Sequence, residues 1–282
     1  MNYKAEHLGT EKYGLGEGPC FDPETGMLSW VDITGCRLWQ MGPDGKRSSF
    51  DLGQPIGAAV PANDPGSFIL CGMDGLYFYD GEKAELLHDL TGLFKPFLRC
   101  NDAKADPQGR LWFGSSVNDD HPAEGNLYKL DKGQISIMQA DTKISNGLAW
   151  SSDRKTFFFS DTLKYAIFRY DYDEAAGLIS GCRELFKTGN SASDGLCIDS
   201  EDNLWIAYWG GGRVEHRSGA TGELLDVIEV AARNVTSCCF GGDDMQTLYI
   251  TTSGDGQSGE YDGCLFKCRL GVKGVRPDRV NL

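Results

Sequence analysis

A turn rich in Asp, Pro, Gly and Asn, followed at once by a short apolar or aromatic run, recurs six times along the chain. The copies read FDPETGMLSWVD, PANDPGSFILCG, ADPQGRLWFGS, WSSDRKTFFFSD, IDSEDNLWIAYW and FGGDDMQTLYIT. The first apolar residue after each turn is Leu28, Phe68, Leu111, Phe157, Leu204 and Leu248, so the copies lie 40 to 47 residues apart. Repeats of that period, each with room for about four short strands, describe the blades of a propeller. Later strands of the modules read LYFYD, NLYKL, AIFRYDYD and CLFKCRL. Helical periodicity is confined to DLTGLFKPF and LLDVIEVAA, which are ambiguous. The expected fold is all-β, a six-bladed β-propeller. With no Pro/Ser/Gly-rich break between modules, it is expected to form a single domain over residues 1–282. The last module runs short of strands after Leu265, so NYKAEHL near the N-terminus is expected to complete it and close the ring, hiding an open edge.

The chain has 282 residues, with 41 acidic and 27 basic side chains and a net charge of −14. Such a surface repels polyanions, so nucleic acid and anionic membranes are not expected partners. The start, MNYKAEHLGTEKYG, has no apolar run of the kind that leads export. A cytoplasmic protein is expected, and its ten cysteines are read as buried thiols. No CxxC pair is present, which argues against a thiolate zinc or dithiol redox centre. The four histidines, His7, His88, His121 and His216, have no metal-site spacing. GGGR at 210–213 lacks the Lys-Ser/Thr of a phosphate loop and reads as a turn.

Five residues before each turn lies a position that repeats in register. It holds Glu17, Asn101, Asn146, Asp194 and Thr236, with Gly57 or a neighbour in the second module. Asn-Gly and Asp-Gly are turn formers, which accounts for Asn146 and Asp194 but not for Glu17. A buried carboxylate is costly unless compensated. Equivalent positions of a propeller are related by rotation about its axis. If this one points inward, carboxylates and amide oxygens converge at one mouth of the channel. Such hard donors suit one divalent ion: Ca²⁺, Mg²⁺, Mn²⁺ or Zn²⁺. Arg99 precedes Asn101 by two residues, which puts both on one face of a strand.

The stretches GEGPCFD, RCNDAKADPQGRLWFGS, ISNGLAWSSD, SDGLCIDSEDNLWIA and TSCCFGG occur in order across nearly the whole chain. In them the sequence resembles the family of regucalcin (senescence marker protein), gluconolactonase and luciferin-regenerating enzyme. The resemblance implies a metal-dependent lactonase that hydrolyses a sugar lactone to the aldonic acid. Glu17, Asn146 and Asp194 match the family's metal ligands, and Asp194 its proton donor and acceptor. Arg99 and Asn101 match residues that hold the sugar. A Glu of the animal proteins is replaced by Asp119, whose shorter side chain bears on sugar preference. A non-enzymatic calcium-binding propeller of the regucalcin type is the alternative. A monomer or weak dimer is expected.

Overall fold

Each of the six repeats supplies the strands of one antiparallel sheet in the computed structural model of the chain, which describes residues 2–95, 97–117 and 124–281. The innermost strands are Gly16–Asp22, Ile56–Pro61, Leu98–Ala105, Ser145–Trp150, Ala192–Ile198 and Asn234–Gly241. Neighbouring inner strands pack on one another, and the sixth meets the first, which closes a six-bladed propeller. The repeated apolar run forms the second strand of each blade, from Met27–Asp32 to Thr247–Ser253. Among the described residues the only helical segment is the 3₁₀ turn Thr162–Lys164. LLDVIE, one of the two ambiguous segments, is strand Leu224–Glu229. Among the described residues no helix is long and apolar enough to cross a membrane.

The turn chemistry explains why the repeat carries Asp, Asn and Gly. Asp106 Oδ1 accepts from the amides of Gln108 and Arg110, and Asp199 Oδ1 from those of Glu201 and Asn203. These side chains imitate a backbone turn. Their other oxygens take the indole N–H of Trp112 at 3.0 Å and of Trp205 at 2.9 Å, tying turn to core. One residue in each turn has a left-handed backbone: Gly26, Gly66, Gly109, Arg154, Asp202 and Met245, with φ between 57° and 82°. Between blades the core is apolar, with Trp30, Trp112, Trp205, Phe113 and Phe157 fully buried.

Ring closure differs in one detail from expectation. Glu6–His7 pairs antiparallel with Phe266–Arg269 and supplies the outer strand of the sixth blade. Asn2–Lys4, however, pairs parallel with Leu224–Glu229 as a fifth strand of the blade before it. The N-terminal segment thus straps two blades together. The C-terminal tail crosses one mouth of the ring, bridging Gly274 to Asp199 and Val280 to Ala62, with Asn281 N–H donating to Gly109 O. Arg279 pairs with Asp22 at 2.8 Å. These contacts all fall at or beyond the C-terminal ends of the inner strands. The cysteines are all free thiols, and six are buried; Cys182, on the outer strand Leu178–Lys187, is exposed, against the expectation of buried thiols throughout.

Candidate active site

Every inner strand carries one extra residue relative to its partner. Glu17 faces Val31 and Cys20 faces Ser29; Asn146 faces Ser160 and Leu148 faces Phe159. The same one-residue shift occurs between Ile56 and Ala58, Cys100 and Ala103, Ser193 and Leu196, and Val235 and Ser237. A β-bulge of this kind breaks the alternation of faces and re-aims a side chain. The six bulges coincide with the repeated position found in the sequence. Glycine serves them in two ways. Gly18 and Gly147 adopt φ of 51° and 34°. At Gly57 and Gly195 a β-carbon would come within 2.3 Å of Cys100 O and 2.1 Å of Ser237 Oγ in the next blade.

Four of the six positions gather at the N-terminal ends of the inner strands, Asn101 and Asn146 by a hydrogen bond and Glu17 and Asp194 by the action of their charges. Asn101 Nδ2 donates to Asn146 Oδ1 at 2.9 Å and to Ser145 O at 3.0 Å. Asn146 Nδ2 donates to Thr162 Oγ1 at 2.8 Å. Arg99 Nη1 donates to Asn101 Oδ1 at 2.8 Å, so the two share a face as their spacing requires. Glu17 Oε2 accepts from the amide of Gly18 at 2.9 Å. The side chains of Glu17, Asn101, Asn146 and Asp194 are all buried, and Arg99 is half-buried. The remaining two positions do not join. Thr236 Oγ1 donates to Gly16 O at 2.6 Å and stitches the sixth blade to the first, and Gly57 has no side chain. Asp119 and His121 lie outside the described residues.

The charges are out of balance. Burial pushes Glu17 up to about 8, and the neighbouring Asp102 charge pushes in the same direction; the Gly18 amide and Arg99 oppose it. Burial, then the charges of Glu17 and Asp102, hold Asp194 well above the ordinary carboxylate range. Burial also lowers the Arg99 guanidinium, against the attraction of Glu17 and Asp194. Three carboxyl groups therefore crowd a region with two cations near it, Arg99 at the rim beside Glu17 and Asp194, and Lys104 acting on Asp102 from below. Asp102 escaped the sequence reading. The signal was present: the residue after each repeated position is Gly18, Ala58, Asp102, Gly147, Gly195 or Ser237, and a carboxylate stands out among side chains otherwise so small.

The donor set fits a divalent cation. Glu17 and Asp194 are two buried carboxyls that disfavour one another's charge, which a cation between them reverses. Asn146 has its amide nitrogen held by Thr162 and its Oδ1 accepting from Asn101, which leaves one Oδ1 lone pair for an ion. No group of three or more His, Cys, Asp or Glu side chains among the described residues is arranged to hold a metal. Any ion here relies on two carboxylates and an amide oxygen, a hard set unlike a Cys/His zinc site.

Residues 15–254 match the family model described as the SMP-30/Gluconolactonase/LRE-like region. The chain is 34% identical to regucalcin of Gallus gallus over 97% of both chains. It is also 34% identical to 6-deoxy-6-sulfogluconolactonase of Pseudomonas putida over 92% of both. Among solved structures it is similar to a calcium-binding protein, regucalcin, from Agrobacterium tumefaciens. That similarity has a TM-score of 0.93 at 26% identity and covers 100% of this chain and 99% of the other. With its six-bladed ring and a match across most of its length, the chain belongs to the SMP-30/gluconolactonase/LRE-like family.

Proposed function

We propose that this protein hydrolyses a sugar lactone of the aldonolactone class to the aldonic acid, with one divalent metal ion held by Glu17, Asn146 and Asp194. The observation that carries the proposal is the pair of buried carboxyls, Glu17 and Asp194, crowded at one mouth with the Asn146 amide oxygen and the Arg99 guanidinium. A bound divalent ion would supply polarisation of the lactone carbonyl and stabilisation of its developing negative oxygen. The chain's own groups account for the rest. Asp194 takes a proton from the attacking water and returns it to the ring oxygen as the acyl C–O bond breaks, leaving a carboxylic acid and an alcohol. Arg99 retains N–H donors beyond those given to Cys100 O and Asn101, and these suit sugar hydroxyls. Asn101 gives both amide hydrogens to Ser145 O and Asn146 and accepts from Arg99, so it holds Arg99 and Asn146 in place while one Oδ1 lone pair stays open to a sugar hydroxyl. Asp119 is proposed to meet the sugar from the segment that follows Leu111–Val117 in the sequence and to set preference among lactones.

A calcium-binding role without catalysis is favoured by one observation, the description of the Agrobacterium relative as a calcium-binding protein. Arg99 separates the two readings, because a metal binder has no use for a cation beside its ligands. The test is acid release from five- and six-membered aldonolactones, with and without chelator, alongside calorimetry of metal binding. Chelator-sensitive hydrolysis, lost in Asp194→Asn, is the expected result. Metal binding with no hydrolysis of any lactone would overturn the enzymatic proposal.

A further inference from the structure

Beneath the carboxylate mouth the inner strands continue to line the channel, and their side chains leave it open. The layer below the bulges is small in every blade but the third, where it is Asp102. The next layer is Cys20, Val60, Lys104, Ala149, Cys197 and Cys239, again small in every blade but the third. Together the two layers leave a cavity of about 420 Å³, which reaches from Asp102 to Val275, Arg276 and Pro277 on the C-terminal tail. That volume lies within the range of small-molecule sites. It opens on the face away from Arg99 and the proposed metal ligands, none of which lines it.

The cavity has apolar walls, which include Val60, Leu148, Ile198 and Phe240, between two polar ends: Arg154, Arg276 and Asp278 toward the tail, and Asp102 with Lys104 at the inner end. There Asp102 Oδ2 is buried and makes no hydrogen bond. Lys104 Nζ donates to Leu148 O at 2.7 Å and Leu196 O at 2.6 Å, which engages two of its three N–H groups. An unpartnered buried carboxyl oxygen is rare and costly. Water along apolar walls would lack the two to four partners it needs. The geometry points to a second small-molecule site, distinct from the carboxylate mouth, for a compact aromatic or alicyclic alcohol. Its hydroxyl donates to Asp102 Oδ2 and accepts from the third Lys104 N–H, while its ring fills the space between Val60, Leu148 and Phe240. At the inner end Asp102 Oδ2 and the third Lys104 N–H match a single hydroxyl, and the apolar walls beside them match a ring rather than a polyol.

The probe is 2-naphthol, followed by its fluorescence, with the full chain in chelator. Saturable binding of one molecule per chain is expected, with Kd unchanged by excess D-gluconate. The methyl ether 2-methoxynaphthalene, which cannot donate, should bind at least tenfold more weakly. Ala149→Leu, which fills the cavity, should weaken 2-naphthol at least tenfold. The ether comparison uses the unaltered protein and so stands even if that variant fails to fold. Absence of saturable binding, equal affinity for the ether, competition by D-gluconate, or equal affinity in a folded Ala149→Leu variant would each overturn the assignment.

Discussion

Replacing Glu17 with Gln in the metal-free protein should make it more stable, and increasingly so as pH rises. The ordinary carboxyl value for Glu17 is 4.5, and in the folded chain it stands at about 8. Below the ordinary value both the folded and unfolded chains carry the proton, and burial of the side chain has no electrostatic cost. Between the two values the unfolded chain releases the proton while the folded chain keeps it, so stability falls by about 1.4 kcal/mol for each pH unit. Glutamine cannot ionise. The variant should therefore match the parent near the ordinary carboxyl pH and exceed it by about 3 kcal/mol at neutrality. The gap should level off at about 5 kcal/mol once the pH passes the folded value. Asp194 is raised by the Glu17 charge and falls when that charge is removed, so the difference between the two proteins reports the coupled pair, while groups elsewhere titrate alike in both. Urea unfolding over a pH series in chelator measures it. Addition of a divalent ion should close the gap, because the ion favours the ionised form of the parent and has lost a ligand in the variant. A gap that stays constant or narrows with rising pH would refute the reasoning about Glu17.

Two further outcomes follow from the same geometry. Asp102→Asn should weaken divalent metal binding by at least about tenfold in calorimetry, because it removes a negative charge that acts on Glu17 and Asp194; unchanged affinity would place Asp102 outside the field of the site. Gly57→Ala should lower stability by about 2–3 kcal/mol, since its methyl meets the unyielding main-chain carbonyl of Cys100 at 2.3 Å, whereas Gly18→Ala, with nothing within 4 Å and only a φ of 51° to sustain, should lose about 1–2 kcal/mol. Thermal unfolding of the two variants compares them, and a greater loss for Gly18→Ala would contradict the close-approach argument.

What the sequence determined is what repeats locally. Turn chemistry is written in the residues that perform it: Asp106 and Asp199 fold the chain back on their own following amides, so a turn motif read six times marks six blades. The mouth position was legible for the same reason. Glu17 is a poor turn former, and its shared offset with Asn101, Asn146 and Asp194 left convergence on the axis as the economical account. Tertiary structure decided what depends on a partner strand or a neighbouring blade. A bulge is a mismatch of count between two strands, invisible in either alone, so the six that aim the mouth residues could not be read from the inner strands. Thr236 shares the offset of Glu17 yet turns to Gly16 O, because ring closure places a carbonyl of the first blade within its reach. Asn2–Lys4 and Glu6–His7 divide between two blades for a related reason: each finds the unpaired strand edge that closure leaves beside it. Asp102 stands out in the sequence once the repeats are aligned, but that its charge acts on Glu17 and Asp194 and faces an open channel was decided by the ring that brings those strands together.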